Sequence, residues 1–151
     1  MPKMKNALRK HYVALWTSDG VEPSADAWKW LADGVTTAEV ENDEETDDQA
    51  YYSGDGTPET TVTSVKYGYS FEGDYIKEDA AQKIIADMRF LTGDQRKVWL
   101  KVVDPDGKTQ YVAPATVSDI KIGGGEASEY ESFACTIGWN KVPKQSAVVG
   151  G

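Results

Sequence analysis

The chain holds one cysteine and one histidine among its 151 residues. A single thiol, Cys135, excludes an internal disulfide framework and fits a reducing compartment. It lies in the apolar run "SFACTIGW", where a small buried hydrophobe is the plain expectation. His11, near the head of a strand-like segment, has no partner set for nucleophilic catalysis, and no Gly-x-Ser-x-Gly elbow occurs. A Cys135–His11 dyad would have to be drawn across almost the whole chain. The glycines at 123–125 and 54–56 lack the following Lys-Ser/Thr of a phosphate loop, and zinc-ligand spacing is absent. No apolar run approaches the roughly 18 residues needed to cross a bilayer. The basic start "MPKMKNALRKHY" has no apolar core behind it, so no secretory signal is expected. Finally, Lys and Arg are missing altogether between Leu31 and Val65.

What is there begins with that same segment. It carries ten acids, and Glu39–Asp48, "EVENDEETDD", has seven in ten positions. The rest of the chain holds sixteen bases and fifteen acids, so the net charge of −9 belongs to this one stretch. A nucleic-acid binder would need a basic stripe, and only Lys3, Lys5, Arg9 and Lys10 cluster. An EF-hand loop started at Asp43 places Glu45 and Asp47 correctly. It then puts Asp48 where Gly is required and Gly54 where Glu is required. Glycoside hydrolysis needs two particular carboxylates, and nothing singles out a pair. With 40% apolar residues, five Trp and eight Tyr, the chain is globular and long enough for one domain. Trp28, Trp30, Tyr51, Tyr52, Tyr67, Tyr69 and Trp99 could form a sugar-stacking platform, but core and interface filling is the simpler expectation.

Periodicity predicts mainly strands. "HYVALWT" reads as a strand, and Trp28/Trp30 with the Asp33-Gly34 turn and Val35–Glu41 reads as a hairpin, a helix from Ser24 being the competitor. "TTVTSVKYGYSFEG" alternates with Val65, Tyr67, Tyr69 and Phe71 on one face. The one helix is expected across Asp74–Gly93, with Ile76, Ala80, Ile84, Met88 and Leu91 as its apolar stripe. Two strands joined by Pro105-Asp106-Gly107 follow, Pro114 suggesting an edge or bulge, and "YESFACTIGWNKV" is the last strand. Six or seven strands and one helix favour an antiparallel β-sandwich or barrel with the helix packed on it.

Ordered strings along the chain carry a resemblance. "NALRKHYVALW", "WLADGVT" leading into "DEETDD", "YYSGDGTPET", "RKVWLKVVDPDGK" and "ASEYESFACTIGWN" occur in sequence from about Asn6 to Asn140. In this the chain resembles the major tail proteins, or tail tube proteins, of long-tailed, non-contractile bacteriophages and prophages of Gram-positive bacteria. The resemblance implies a single tail-tube domain, 1–151, with a basic N-terminal arm (1–10), a long acidic inter-strand loop (39–60) and a flexible C-terminal tail (141–151). It implies subunits that assemble into hexameric rings, stacked as a hollow tube through which DNA passes without specific binding. The implied partners are copies of the chain, a tape-measure protein, and terminator and distal-tail proteins. No enzymatic activity, cofactor, metal or membrane is implied, and the location is the virion tail, after synthesis in the host cytoplasm. The acidic segment, Glu39, Glu41, Asp43, Glu44, Glu45, Asp47, Asp48, Tyr51, Tyr52, Asp55 and Gly56, becomes the candidate assembly interface. Lys3, Arg9, Lys97 and Lys101 of a neighbour are candidate counter-charges. A carbohydrate-binding or adhesion module on the same fold is the alternative. The turn chemistry of Gly54-Asp55-Gly56 and Pro58 favours a protrusion that meets a neighbour over one lining the bore.

Overall fold

A computed structural model describes residues 3–50 and 52–148. The described strands are β1 (Lys10–Leu15), β2 (Lys29–Trp30), β3 (Val35–Gln49), β4 (Glu59–Asp74), β5 (Lys97–Val103), β6 (Thr109–Ile122), β7 (Ser132–Trp139) and β8 (Lys144–Ala147). They form one antiparallel sheet in the order β2-β1-β5-β6-β7-β4-β3, with β8 also on β6. Alternation explains the core. In β7 every second residue, Phe133, Cys135, Ile137 and Trp139, is buried, and Val98, Leu100 and Val102 do the same for β5.

The sheet curls so that its two halves face one another. Three strands separate β1 from β4, yet the His11 ring lies 5.0 Å from those of Tyr69 and Phe71, each edge-on. The Trp139 indole N–H, from β7, reaches the Leu100 carbonyl of β5 at 3.1 Å. β6 is the shared spine: its first half pairs with β5 and β8, its second with β7. Pro114 falls between the end of the β8 pairing at Val112 and the start of the β7 pairing at Ala115. The missing N–H is therefore tolerated at a change of partner, not at an edge. The irregularity of β6 comes later, between Ser118 and Lys121, where Asp119 has φ 50.

Three expected elements differ. Trp28 and Trp30 do not form a hairpin with Val35–Glu41: Trp30 pairs with Tyr12 of β1, and β3 pairs with β4. Gly34 does make the expected turn, with φ 78 and the Val35 N–H on the Ala32 carbonyl, but it links strands that are not neighbours. Ser24 precedes only one turn of 3-10 helix, Ala25–Ala27. The helix, α1 (Ala80–Ala86), is shorter than expected and buries Ala81, Gln82, Ile85 and Ala86. Of the predicted stripe, Met88 alone is fully buried, and it lies beyond α1. After Ala86 the backbone tightens to three-residue turns (Met88 N–H to Ile85, Leu91 N–H to Met88). Arg96 holds them by donating to the Arg89 and Leu91 carbonyls at 3.0 and 2.8 Å. The last strand is β8, so residues 144–147 of the expected flexible tail are paired with β6. Residues 149–151 and 1–2 lie outside the described residues.

Candidate functional site

The acidic segment is not an irregular loop. Residues 39–49 belong to β3, and β4 resumes at Glu59, so only 50–58 make the turn. Asn42 pairs with Tyr67, Asp43 with Lys66, and the pairing continues to Gln49 with Glu59. β4 leaves β7 at Gly68, so from Asp43 outward the two strands have only each other. They form a ribbon that projects roughly 23 Å from the sheet, at about 3.3 Å per residue over seven residues, before its turn. Sequence reasoning expects a protrusion but assigns 39–60 to a loop, because seven acids in ten residues oppose β-propensity. The alternation of "TTVTSVKYGYSFEG" reads as a strand, and extending its pairing to the acidic residues before the turn would have given the ribbon.

Register assigns the ribbon two unlike faces. Alternation puts Glu39, Glu41, Asp43, Glu45 and Asp47 on one face of β3, a ladder of carboxylates continuous with the outside of the sheet. Lys66, opposite Asp43, is the only base of the two strands. The other face carries Val40, Asn42, Glu44, Thr46 and Asp48, with Val65 opposite Glu44 and Val62 opposite Thr46. The skipped residue, Thr63, turns its hydroxyl to the Glu45 carbonyl at 3.1 Å, and this bulge keeps Val62 and Val65 on one side. Val40, Val62 and Val65 are each about half exposed, and with Tyr67 they extend the line of Tyr69 and Phe71 out of the core. Thr60 donates to Asp48, and the Asp55 carboxylate accepts the Thr57 N–H; hydrogen bonding from the Thr57 side chain, and then from this N–H, lowers the Asp55 pKa. The candidate residues thus come together in one arm, Glu44 and Asp48 on its apolar side and the other β3 acids on the ladder. Tyr52, Asp55 and Gly56 sit in the exposed turn, and Tyr51 lies outside the described residues.

The arm's root is rigid. Gly68 stands opposite Gly138, and a Cβ on Gly68 would run into the backbone of Ile137 and Gly138. These glycines floor a depression of about 280 Å³ beside Glu41, Asp43, Thr116 and Thr136. Tyr67 stacks on Trp139 at 6.3 Å. Gln82 of α1, fully buried, closes the other side. Its side-chain amide donates to the carbonyls of Asp33 and Asp74 at 2.9 and 3.1 Å and accepts the Ile76 N–H at 2.7 Å. Asp33 precedes β3 and Asp74 ends β4, so one side chain from the helix ties the start of β3 to the end of β4, at the far end of these strands from the arm.

A second feature was not anticipated. On the outside of β1, β2 and β5, lysines lie over aromatic rings: Lys101 at 4.8 Å from Tyr12 and 4.7 Å from Trp28, Lys97 at 4.7 Å from Trp16, Lys10 at 5.5 Å from Trp30. Burial lowers the pKa of Lys101. The aromatics considered as one sugar platform are thus divided. Trp28 and Trp30 hold lysines, Tyr67 and Tyr69 pack with Trp139, and Trp99 is buried. The signal was available in "KVWLK", where Lys97 and Lys101 share a face. Cys135 is buried, which pushes its thiol up to about 12. His11 has an unpartnered Nε2; burial and then Arg9 hold its pKa down at about 4. Among the described residues no three His, Cys, Asp or Glu side chains are grouped to hold a metal ion, and no helix is long and apolar enough to cross a membrane.

With this geometry in hand, the comparisons place the fold. No protein-family model matches the sequence, and no curated protein matches it. Solved structures do match. One is a chain from the tail of an empty gene transfer agent particle, refined helically with C6 symmetry: TM-score 0.72, 15% identity, covering 96% of this chain and 100% of that one. A chain from the virion of a native gene transfer agent particle gives 0.64 and 15%, covering 92% and 95%. A chain from the tube-terminating cap of the anti-feeding prophage gives 0.57 and 11%, covering 98% and 93%. At these identities the likeness shows a shared fold, mostly antiparallel sheet with one helix.

Proposed function

We propose that this chain is the major tail protein of a long-tailed, non-contractile phage or prophage of a Gram-positive host. It is a structural subunit that closes into hexameric rings, and the rings stack into the tube that conducts DNA. The observation that carries the reading is a full-length fold match to a chain of a C6-symmetric tail, joined to an arm with no packing partner of its own. The ordered sequence strings supply the narrower assignment to non-contractile tails. A two-stranded ribbon is marginal in water unless something covers it. Val40, Val62, Val65 and Tyr67 offer a neighbouring subunit the apolar strip that such cover requires. That supports contact with a neighbour over exposure in the bore. Tape-measure, terminator and distal-tail proteins are the further partners, and the chain acts in the virion tail without catalysis or cofactor.

Sedimentation and electron microscopy of the purified protein test this. Rings or tubes with sixfold symmetry are expected, and hydrogen exchange of residues 43–58 should slow on assembly. A protein that stays monomeric at every concentration and salt, or equal exchange in both states, defeats the reading.

A further inference from the structure

The curled sheet is electrically two-sided. Outside β3 runs the carboxylate ladder; outside β1 and β5 stand Lys10, Lys97 and Lys101 on their aromatic rings. Tyr12 is the cross-strand partner of both Lys101 and Trp30, so ring and cation alternate across the face. Lys97 has a carboxylate of its own, Asp94 at 3.1 Å. Among the described residues, Lys10 and Lys101 have none within salt-bridge distance, in a chain with 25 acids and 16 bases. Lys101 is held between two rings and partly desolvated, so its position is fixed before any anion arrives.

We propose that the lysine–aromatic face of β1 and β5 receives the carboxylate ladder of the arm of a second copy of this chain. This rests on the tube reading and names the surface that the arm meets. Charge complementarity selects the occupant. Carboxylates repeated at every second residue offer partners to the two unpaired cations of the face, Lys10 and Lys101, whereas nucleic acid would meet the same lysines only against the repulsion of a chain at −9. The two surfaces are different patches of the chain, so the contact is heterologous. Each copy offers an arm to one neighbour and a face to another, and such contacts close into rings or propagate as filaments.

Charge reversal tests this. Lys10→Glu with Lys101→Glu reverses the face, and Glu41→Lys with Asp43→Lys reverses the ladder. Each pair alone should raise the concentration needed for assembly at least about tenfold. Mixing the two proteins should restore assembly, because a reversed ladder then meets a reversed face around an alternating ring. Thermal melting checks that both fold; if the reversed face does not, Lys10→Gln with Lys101→Gln should still weaken assembly. Assembly of either variant at the wild-type concentration, or a mixture no better than its parts, overturns the proposal and leaves the tube reading intact. Should the wild type never assemble, the tube reading fails, and zero-length carbodiimide coupling of mixed light and 15N-labelled chains still reads the contact. Inter-chain links from residues 39–47 to Lys10 or Lys101 are expected. Links only elsewhere, none at all, or a face that binds single-stranded DNA while assembly is untouched by its reversal, overturn the proposal.

Discussion

Gln82→Met removes the staple between the start of β3 and the end of β4 while keeping the length of the side chain. The wild-type amide makes three hydrogen bonds, to the carbonyls of Asp33 and Asp74 and from the N–H of Ile76. All three partners are backbone groups beside a fully buried side chain, so the thioether leaves them without an equivalent. A hydrogen bond contributes about 1 kcal/mol net, and an orphaned buried group costs about 1–3 kcal/mol. Three such losses, partly offset by the apolar transfer of a Met side chain, come to about 3–5 kcal/mol. That is a large fraction of the 5–15 kcal/mol typical of a domain. Urea unfolding of the monomer followed by tryptophan fluorescence measures it, and Gln82→Glu should be no better, since its carboxylate faces the same two carbonyls. Hydrogen exchange should meanwhile quicken in Val35–Glu41, next to the staple, more than in β5. A loss below about 1 kcal/mol would show that the three bonds are replaceable and that α1 only covers the core.

His11 makes stability depend on pH. Its folded pKa of about 4 lies below the ordinary 6.5, so the unfolded chain takes up a proton that the folded chain refuses, and stability falls as pH drops from about 6.5 to about 4, by about 3 kcal/mol in all. Urea melts of wild type and His11→Phe at pH 7 and pH 4 should show that the variant loses this share of the acid sensitivity; equal slopes would refute it. Gly68→Ala should cost about 2–3 kcal/mol, because a Cβ meets the β7 backbone and neither strand can give way without losing its pairing, as chemical denaturation will read. Replacing residues 43–66 with a two-residue Asn-Gly turn should leave the monomer's melting temperature within a few degrees, since that part of the arm adds almost nothing to the core, yet abolish assembly seen by sedimentation. Added salt should slow exchange in the monomer's arm, by screening its ladder, while dissolving assembled protein; parallel responses would contradict the placing of the ladder at a contact.

Much of the fold was legible because strand periodicity is a local property. Val65, Tyr67, Tyr69 and Phe71 were placed on one face by alternation alone, and the Pro105-Asp106-Gly107 turn by its residue types, with the Gly107 N–H on the Asp104 carbonyl. What failed was partner choice. Nothing local tells Trp30 that its neighbour is Tyr12, eighteen positions back, and not Val35 just ahead. The helix was misjudged for a similar reason. Asp79 caps its start by accepting the Gln82 N–H, and its end is imposed by Arg96, which reaches back for carbonyls from a later segment. At the site, composition singled out residues 39–48, and the structure gives them the conformation of a paired strand where a loop was expected. Acid-rich sequence reads as a solvated loop, and only the pairing of Glu44 with Val65 and of Thr46 with Val62 separates charged from apolar positions. The lysine–aromatic face was legible only in part: "KVWLK" puts Lys97 and Lys101 on one side of a strand, but the other members come from positions 10, 12, 16, 28 and 30, which no window unites with it.

That the acidic segment is a ribbon changes what it can do. A loop would present its charges in no fixed direction, and its counter-surface would need only opposite charge. A strand presents them every second residue, roughly 7 Å apart, close to the Debye length of about 8 Å at physiological salt. Adjacent carboxylates of the ladder therefore repel one another, whereas its ends are screened from each other, and the strain is spread along the arm. The same alternation sends Val40, Val62, Val65 and Tyr67 to the reverse side, so covering the apolar strip and neutralising the ladder require contacts on two faces at once. The free subunit covers neither: Val40, Val62 and Val65 stay about half exposed, and Lys66 is the only base of the two strands. On the proposed reading both needs are met when neighbouring copies lie on the two sides of the arm, so the alternation that leaves the arm uncovered in one chain is what an assembly would complete.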